Sequence, residues 1–491
     1  MSKMNKKGKT LAIIRLLAII TGGTSLFMIP SLVLAIVIGE TSTIDAFVIP
    51  IAIGIISALC AILFIPKTKE GFNIRPRDGF LFVFLVWVIS TLLGSLCYYL
   101  SATPIGLIDA IFESACGFAT TGATTIDNVE ALPKSLLLWR STSQWAGGMG
   151  IILLFVALLP LIGVGGFQLV KAEVPGPEKE KVRPKIAGTA KIIWGIYCVL
   201  TFILIILYRL GGMDWFDAVC HGFSIVATGG VSTKNDGFGF YDSRFIDWVT
   251  VAFMLLGAMN FTLYYRIARG KIRDFFTNTE ARAFLLIFAV SAIAVSIKLI
   301  PTYNSVSQAM RYGFFQTASI LTTTGNTRAD YSIWPMLIQA IFFCLMLFGG
   351  CSGSTGGGVK VIRHVVLFKQ ATNELKSFLY PRRIFSIQLN KKVGRKDVVY
   401  GVAGFLFLYF AIVGLSTLVT ALSGLDTFSS FCTSLSMTGN IGVGFGASGP
   451  MNNFSDFPDY LKLYYSLLMI AGRLELWTVF VLFTPDYWKK N

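Results

Sequence analysis

The chain has 491 residues, 54% of them hydrophobic and 14% charged, with a mean hydropathy of +0.68. A soluble protein of this length carries about one-quarter charged residues, so the composition excludes an ordinary soluble enzyme and indicates a polytopic membrane protein. The formal charge of +16, from 42 Lys and Arg against 26 Asp and Glu, would by number suit a nucleic-acid binder, but the placement of those charges argues otherwise.

A spanning helix takes about 20 apolar residues. Hydropathy on that scale predicts ten crossings, near residues 11–38, 44–65, 80–100, 136–165, 192–210, 246–265, 283–300, 336–368 (interrupted), 398–422 and 461–483. With the basic tail Met1–Thr10 taken as cytoplasmic, 31 basic residues fall on that side and 9 on the other, with Arg15 and Arg473 inside spans. This is the positive-inside asymmetry. It predicts cytoplasmic termini, turns most of the net charge into a topology signal, and leaves nucleic acid without support as a partner. Lys6-Lys7-Gly8-Lys9 before an apolar run imitates a secretory signal, but the run is too long for one and a second span follows, so it reads as retained.

The eight cysteines form no CxxC pair, and His221 and His364 are the only histidines. Disulfide, zinc and histidine-based catalytic readings are therefore poorly supplied. No cluster of acid, base and nucleophile is visible, so the expectation is a protein that is not an enzyme and has no bound cofactor.

Four segments between predicted spans are too apolar for loops: LIDAIFESACGFATTGATTID (107–127), MDWFDAVCHGFSIVATGGVST (213–233), QAMRYGFFQTASILTTTGNTR (308–328) and LDTFSSFCTSLSMTGNIG (425–442). Each ends in Thr-Gly and a small residue: Thr121-Gly122, Thr228-Gly229, Thr324-Gly325 and Thr438-Gly439. One Thr-Gly pair is a common turn, but four at matching places imply a unit of span, half-helix, turn and span, repeated four times. Non-helical backbone at membrane depth is tolerated where it lines a wet cavity or is buried in protein. Four such turns suggest a ring of backbone carbonyls replacing the hydration shell of a cation, with glycine permitting the required φ angles. The candidate ion-binding residues are Thr120, Thr121 and Gly122; Ala227, Thr228 and Gly229; Thr323, Thr324 and Gly325; and Met437, Thr438 and Gly439. The filter stretches Ala119–Thr124, Val226–Val231, Leu321–Thr327 and Leu435–Ile441 hold no carboxylate, which suits a monovalent cation and disfavours a divalent-selective ring.

Two features suggest a gate. The eighth span is broken by Gly349-Gly350-Cys351-Ser352-Gly353-Ser354-Thr355-Gly356-Gly357-Gly358, followed by Lys360. The stretch has little helix propensity and no Walker spacing to a lysine, so it reads as a loop against the pathway, or alternatively as a packing kink. Arg473 lies inside the tenth predicted span, where ionisable groups are costly and usually functional. A direct pair with Glu475 is disfavoured because residues two apart on a helix do not face each other. Asp109, Asp217 and Asp426 stand near the starts of three half-helices, where capping and attraction of cations are both compatible with a carboxylate.

The four turns, together with Gln144-Trp145-Ala146-Gly147-Gly148-Met149-Gly150, Ala172-Glu173-Val174-Pro175-Gly176-Pro177, Gly353–Gly358 and Ala471-Gly472-Arg473-Leu474-Glu475, resemble the membrane subunits of Trk-type potassium uptake systems, in the superfamily that also holds Ktr and plant HKT transporters. The resemblance covers essentially the whole chain, and two spans ahead of the first repeat favour the Trk branch. It implies an all-α polytopic membrane protein with four pseudo-repeats around one pore and potassium as substrate. In the family, glycine in the first turn goes with potassium preference and serine with sodium permeation, and Gly122 matches the former. Ala119 and Met437 depart modestly from the family pattern. The resemblance further implies an intramembrane gate loop at Gly349, Gly350, Gly353, Gly356, Gly357, Gly358 and Lys360, and a pore arginine at Arg473. It also implies a homodimer, a cytosolic nucleotide-binding regulatory ring of the RCK/KTN type, and residence in a bacterial inner membrane. The basic link 360–396 reads as a lipid-headgroup face to which the resemblance adds a docking role. The expected units are a two-span segment (1–68) and repeats at 69–171, 172–275, 276–390 and 391–491. Energisation is compatible with flow down the electrochemical gradient or with coupling to protons or sodium. A secondary transporter of another cation or small solute at discontinuous helices is the alternative.

Overall fold

In lipid an apolar segment satisfies its backbone by forming a helix, and the structure, a computed structural model, is helical where hydropathy predicts spans. It describes residues 6–65, 76–150, 186–383, 385–390, 392–393 and 396–489. The motif at 172–177, the second half of the predicted span 136–165 and the unit boundaries near 68 and 171 lie outside the described residues. Among the described residues six helices are long and apolar enough to cross a membrane: Thr10–Ile38, Thr41–Phe64, Arg77–Tyr99, Ala190–Leu210, Thr279–Tyr303 and Val398–Ala421. The predicted span beginning at 136 starts as Lys134–Gly148. The broken eighth span appears as Met336–Leu345, irregular backbone, and Val361–Leu379.

Two predicted spans are bent instead of straight. Arg244–Gly257 meets Phe261–Ala268 at 96°, and Asp459–Arg473 meets Trp477–Phe483 at 109°. The first bend has a partner. Carbonyls released near it accept from the broken eighth span, Cys351 N–H donating to Ala258 O at 2.8 Å and Thr355 N–H to Gly257 O at 3.2 Å, while Phe261 N–H donates back to Gly353 O at 3.1 Å. Each irregular stretch supplies the hydrogen bonds the other lacks, which is what permits both away from water. At the second bend Glu475 adopts φ +56° and Leu476 N–H donates to Ala471 O at 3.0 Å, closing the helix end.

The first two spans pack closely. A Cβ added to Gly22 would lie 2.6 Å from the Ala58 Cβ, and one on Gly54 would lie 2.5 Å from Ser25 Oγ, the close approach that small residues give membrane helices. Their connection reaches the repeats: the Glu40 carboxylate accepts from the N–H groups of Lys134 (2.8 Å) and Ser135 (3.1 Å), capping the helix Lys134–Gly148.

Four short helices lie where the sequence repeats its apolar segments. The half-helices Leu107–Ala119, Trp215–Val226, Val306–Leu321 and Thr427–Gly439 each follow a long helix and pack against it. Asp214, Ser305 and Asp426 cap the last three through their side chains. The capping role expected of a carboxylate thus holds at Asp426, passes from Asp217 to Asp214 in the second unit, and is replaced at Asp109 by an ion pair with Lys462 at 2.7 Å. Large apolar side chains such as Val37, Leu63 and Phe407 are exposed on the outside, whereas Ser and Thr are buried around the turns. The all-α expectation holds apart from a two-residue antiparallel pairing, Gln388 with Val393 and Leu389 with Lys392.

Candidate functional site: a fourfold ring and the loop against it

Each half-helix ends in the same backbone device. Thr120, Thr228, Thr323 and Asn440 stand at φ +53°, +52°, +57° and +52°. The next residue then donates its N–H five residues back, Thr121 to Cys116 O (3.0 Å), Gly229 to Ser224 O (2.8 Å), Thr324 to Ser319 O (2.9 Å) and Ile441 to Ser436 O (2.9 Å). This is the left-handed helix cap with its six-to-one bond. Threonine is poorly suited to positive φ, so three strained threonines in equivalent places mark a backbone shape held by its surroundings. Two residues after each, a glycine turns back to positive φ: Gly122 (+85°), Gly230 (+89°), Gly325 (+76°) and Gly442 (+86°).

These glycines close a ring. A Cβ on Gly122 would lie 2.7 Å from Gly229 O; one on Gly230 would strike Thr324 O, one on Gly325 would strike Ile441 O, and one on Gly442 would strike Thr121 O. Every contact runs from one unit to the carbonyl of the next, and the fourth returns to the first. The segment after each turn is held, through backbone N–H or a serine hydroxyl, by the same position on its half-helix. The Glu113 carboxylate accepts from Thr125 N–H at 2.7 Å, His221 Nε2 meets Ser232 Oγ at 3.0 Å, Gln316 Oε1 accepts from Arg328 N–H at 3.4 Å, and Thr433 Oγ1 donates to Ser448 Oγ at 3.0 Å.

The geometry sets the register. It agrees with the sequence reading at Thr120-Thr121-Gly122 and Thr323-Thr324-Gly325. In the second unit the turn is Thr228-Gly229-Gly230, one residue later than the Thr-Gly alignment, and Ala227 is the last right-handed residue of its helix. In the fourth unit Met437, Thr438 and Gly439 are helical, Thr438 Oγ1 donating to Ser434 O at 2.7 Å, and the turn is Asn440-Ile441-Gly442. Met437 therefore departs from the pattern of the other turns because it belongs to the helix. Asn440 also ties the last unit to the first, its Nδ2 donating to Thr121 Oγ1 at 3.0 Å and to Met469 O at 2.9 Å.

The glycine-rich loop lies against the helix side of this ring. It folds on itself, Gly349 N–H donating to Val359 O at 2.9 Å and Val361 N–H to Gly350 O at 3.3 Å. Gly357 N–H donates to Thr323 Oγ1 at 2.6 Å, and Thr355 Oγ1 donates to Val226 O at 3.1 Å and lies 3.3 Å from Thr228 Oγ1. A Cβ on Gly357 would lie 2.5 Å from Gly439 O, and one on Gly356 would lie 3.2 Å from Thr322 O, so the loop touches the second, third and fourth units directly. Buried Lys360 donates to Gly356 O within it. Gly353 and Gly358 take φ of +72° and +66°.

Arg473 joins the loop to the first unit. It is the last residue of its helix, where a cation suits the dipole. Nη1 donates to Thr355 O at 2.5 Å, and Nη2 donates to Gly147 O and Gly148 O at 3.0 and 2.5 Å. Glu475 faces elsewhere and pairs with Arg363 at 2.5 Å.

Several residues of this site carry no assigned role in the sequence reading. Glu113 and Arg140 form a buried pair at 3.1 Å, and Arg140 also reaches Thr124 Oγ1. The Glu280 carboxylate accepts from Ser352 N–H (2.7 Å) and Ile362 N–H (3.2 Å), holding both ends of the loop. An acidic residue in an apolar half-helix was the available signal for Glu113; Glu280, at a helix start, resembles an ordinary acidic first-turn residue.

Comparison with known proteins agrees with this architecture. The TrkH family model, described as a cation transport protein, matches residues 45–490. The Trk system potassium uptake protein TrkH of Halomonas elongata is 37% identical over 484 residues, covering 97% of this chain and 99% of that protein. That of Escherichia coli is 37% identical over 486 residues, covering 97% and 98%. The crystal structure of the potassium transporter TrkH from Vibrio parahaemolyticus superposes with a TM-score of 0.87 at 34% identity, covering 98% of this chain and 100% of that one.

Proposed function

Because the chain belongs to the TrkH family of cation transport proteins, we propose that it takes up potassium across the cytoplasmic membrane of a bacterium, through a selectivity filter made by the four turns. The observation that carries this reading is the closed ring, in which equivalent glycines pack against the carbonyls of Thr121, Gly229, Thr324 and Ile441. A carboxylate-free ring of carbonyls suits a monovalent cation of low hydration energy. The ion-binding set is Thr120, Thr121, Gly122, Thr228, Gly229, Gly230, Thr323, Thr324, Gly325, Asn440, Ile441 and Gly442.

The loop 349–360 and Arg473 form the gate. The guanidinium puts a fixed positive charge beside the ring and clamps the loop carbonyl of Thr355 to Gly147 and Gly148; opening releases that clamp. The organisation is a two-span unit (1–68) followed by repeats at 69–171, 172–275, 276–390 and 391–491. The assembly is a homodimer with one pathway per chain and a cytosolic nucleotide-binding ring docked at the basic link 360–396.

Gly122→Ser tests the filter. The new Cβ meets Gly229 O at a distance of 2.7 Å, so the ring must shift and sodium discrimination is expected to fall in liposome flux measurements. Unchanged discrimination would remove the first turn from the filter.

A further inference from the structure

Of the four carbonyls in the ring, one is treated differently. Among the described residues no hydrogen bond reaches the carbonyls of Thr121, Thr324 or Ile441, whereas Gly229 O accepts from Gln144 Nε2 at 2.5 Å. Gln144 is fully buried, on the helix Lys134–Gly148 of the first unit. Its Oε1 accepts from Val231 N–H at 3.4 Å, which fixes the amide so that its N–H faces the carbonyl. The primary amide thus pairs with the turn as another strand's peptide would. Gly229 itself is not at positive φ; it is small because a Cβ there would strike Gln144 Oε1 and stand 2.4 Å from Cδ. The glycine pair at 229 and 230 therefore has two separate causes, a seat for the amide and a left-handed turn.

We infer that Gln144 is a specificity-determining positioning residue, pinning the Gly229 carbonyl and so biasing the ring toward potassium over sodium. The inference rests on the filter reading above. Two physical effects act in the same direction. A carbonyl held by a side-chain amide resists moving inward to close on a smaller ion, and one that already accepts a hydrogen bond presents a weaker field to an ion; cavity size and carbonyl field strength are the two competing explanations of potassium selectivity, and Gln144 acts in the same direction under either. The helix bearing Gln144 also carries Gly147 and Gly148, whose carbonyls accept from Arg473, so the same helix touches both ring and gate.

The test is the sodium-to-potassium permeability ratio of the full chain in planar bilayers under bi-ionic conditions. Gln144→Leu removes both hydrogen bonds at similar volume, and Gln144→Glu keeps the acceptor for Val231 while turning a carboxylate oxygen toward Gly229 O. Both should raise the ratio by about fivefold or more, the factor carried by one ordinary hydrogen bond, with rubidium flux retained. Potassium should also lose part of its advantage over sodium in raising the melting temperature in detergent, a measurement that any folded variant permits. Should Gln144→Leu fail to fold, Gln144→Asn, which draws the amide back from both groups, is read in the same way. A ratio and a potassium-specific melting shift equal to those of the unmodified chain would overturn the inference. An unmodified chain that does not itself prefer potassium would instead overturn the filter reading.

Discussion

Single atoms decide the register of the ring. Gly439 and Gly442 are three residues apart, yet a Cβ on the first meets only Tyr409 Oη and Ile441 side-chain atoms at 3.3 Å or more, whereas one on the second strikes the Thr121 carbonyl at positive φ. Gly442→Ala is therefore expected to abolish or severely reduce uptake, and Gly439→Ala to leave most of it; rubidium influx into cells lacking other uptake routes checks the pair. Equal damage from both would contradict the register. The sequence could not supply it. Thr438-Gly439-Asn440 imitates Thr324-Gly325-Asn326, but the fourth helix runs on through Gly439 and lets Asn440 take the left-handed place, as asparagine can. Arg473 stands out in the sequence because a charge deep in an apolar span is costly, while its acceptors at Thr355, Gly147 and Gly148 are distant in sequence. Arg473→Ala removes both clamp and charge and is expected to raise rubidium flux at normal membrane expression. Lower or unchanged flux would remove the barrier role.

Elements explain why irregular backbone persists in the interior of the bundle. The loop 349–360 is held by reciprocal bonds to the bend after Gly257, by Thr323 and by the Glu280 carboxylate. Hydropathy shows the break in the eighth span because glycines interrupt it, but not the bend in the sixth, where Asn260, which caps the following helix, is the one polar residue of Ala258-Met259-Asn260 and the remaining hydrogen bonds come from tertiary partners. Glu280→Gln retains shape but weakens a charge-assisted acceptor worth about 1.5–3 kcal/mol. Amide exchange at Ser352 and Ile362 should quicken about tenfold or more, with raised basal flux. Exchange as slow as in the unmodified chain would show that Glu280 does not hold the loop.

Across the whole molecule, four units that differ almost everywhere in side chain share one backbone cap. Composition pointed to the membrane class, and the apolar segments between spans pointed to the four half-helices. Closure of the ring from the fourth unit to the first was not readable, because it depends on contacts between residues such as Gly442 and Thr121. The two-span unit ahead of the repeats is joined to them through Glu40, which caps the helix carrying Gln144. Glu40→Ala should cost about 1 kcal/mol of stability, seen as a lower melting temperature in detergent, and an unchanged melting temperature would detach that unit from the helix. The central claim is that the ring conducts potassium. Its most direct measurement is ion flux through the purified chain in liposomes under an imposed potential, with potassium, rubidium or sodium as the test ion. Potassium and rubidium should permeate well ahead of sodium, with Gly442→Ala abolishing the flux. Failure of potassium and rubidium to permeate, with or without a regulatory partner, would contradict the account.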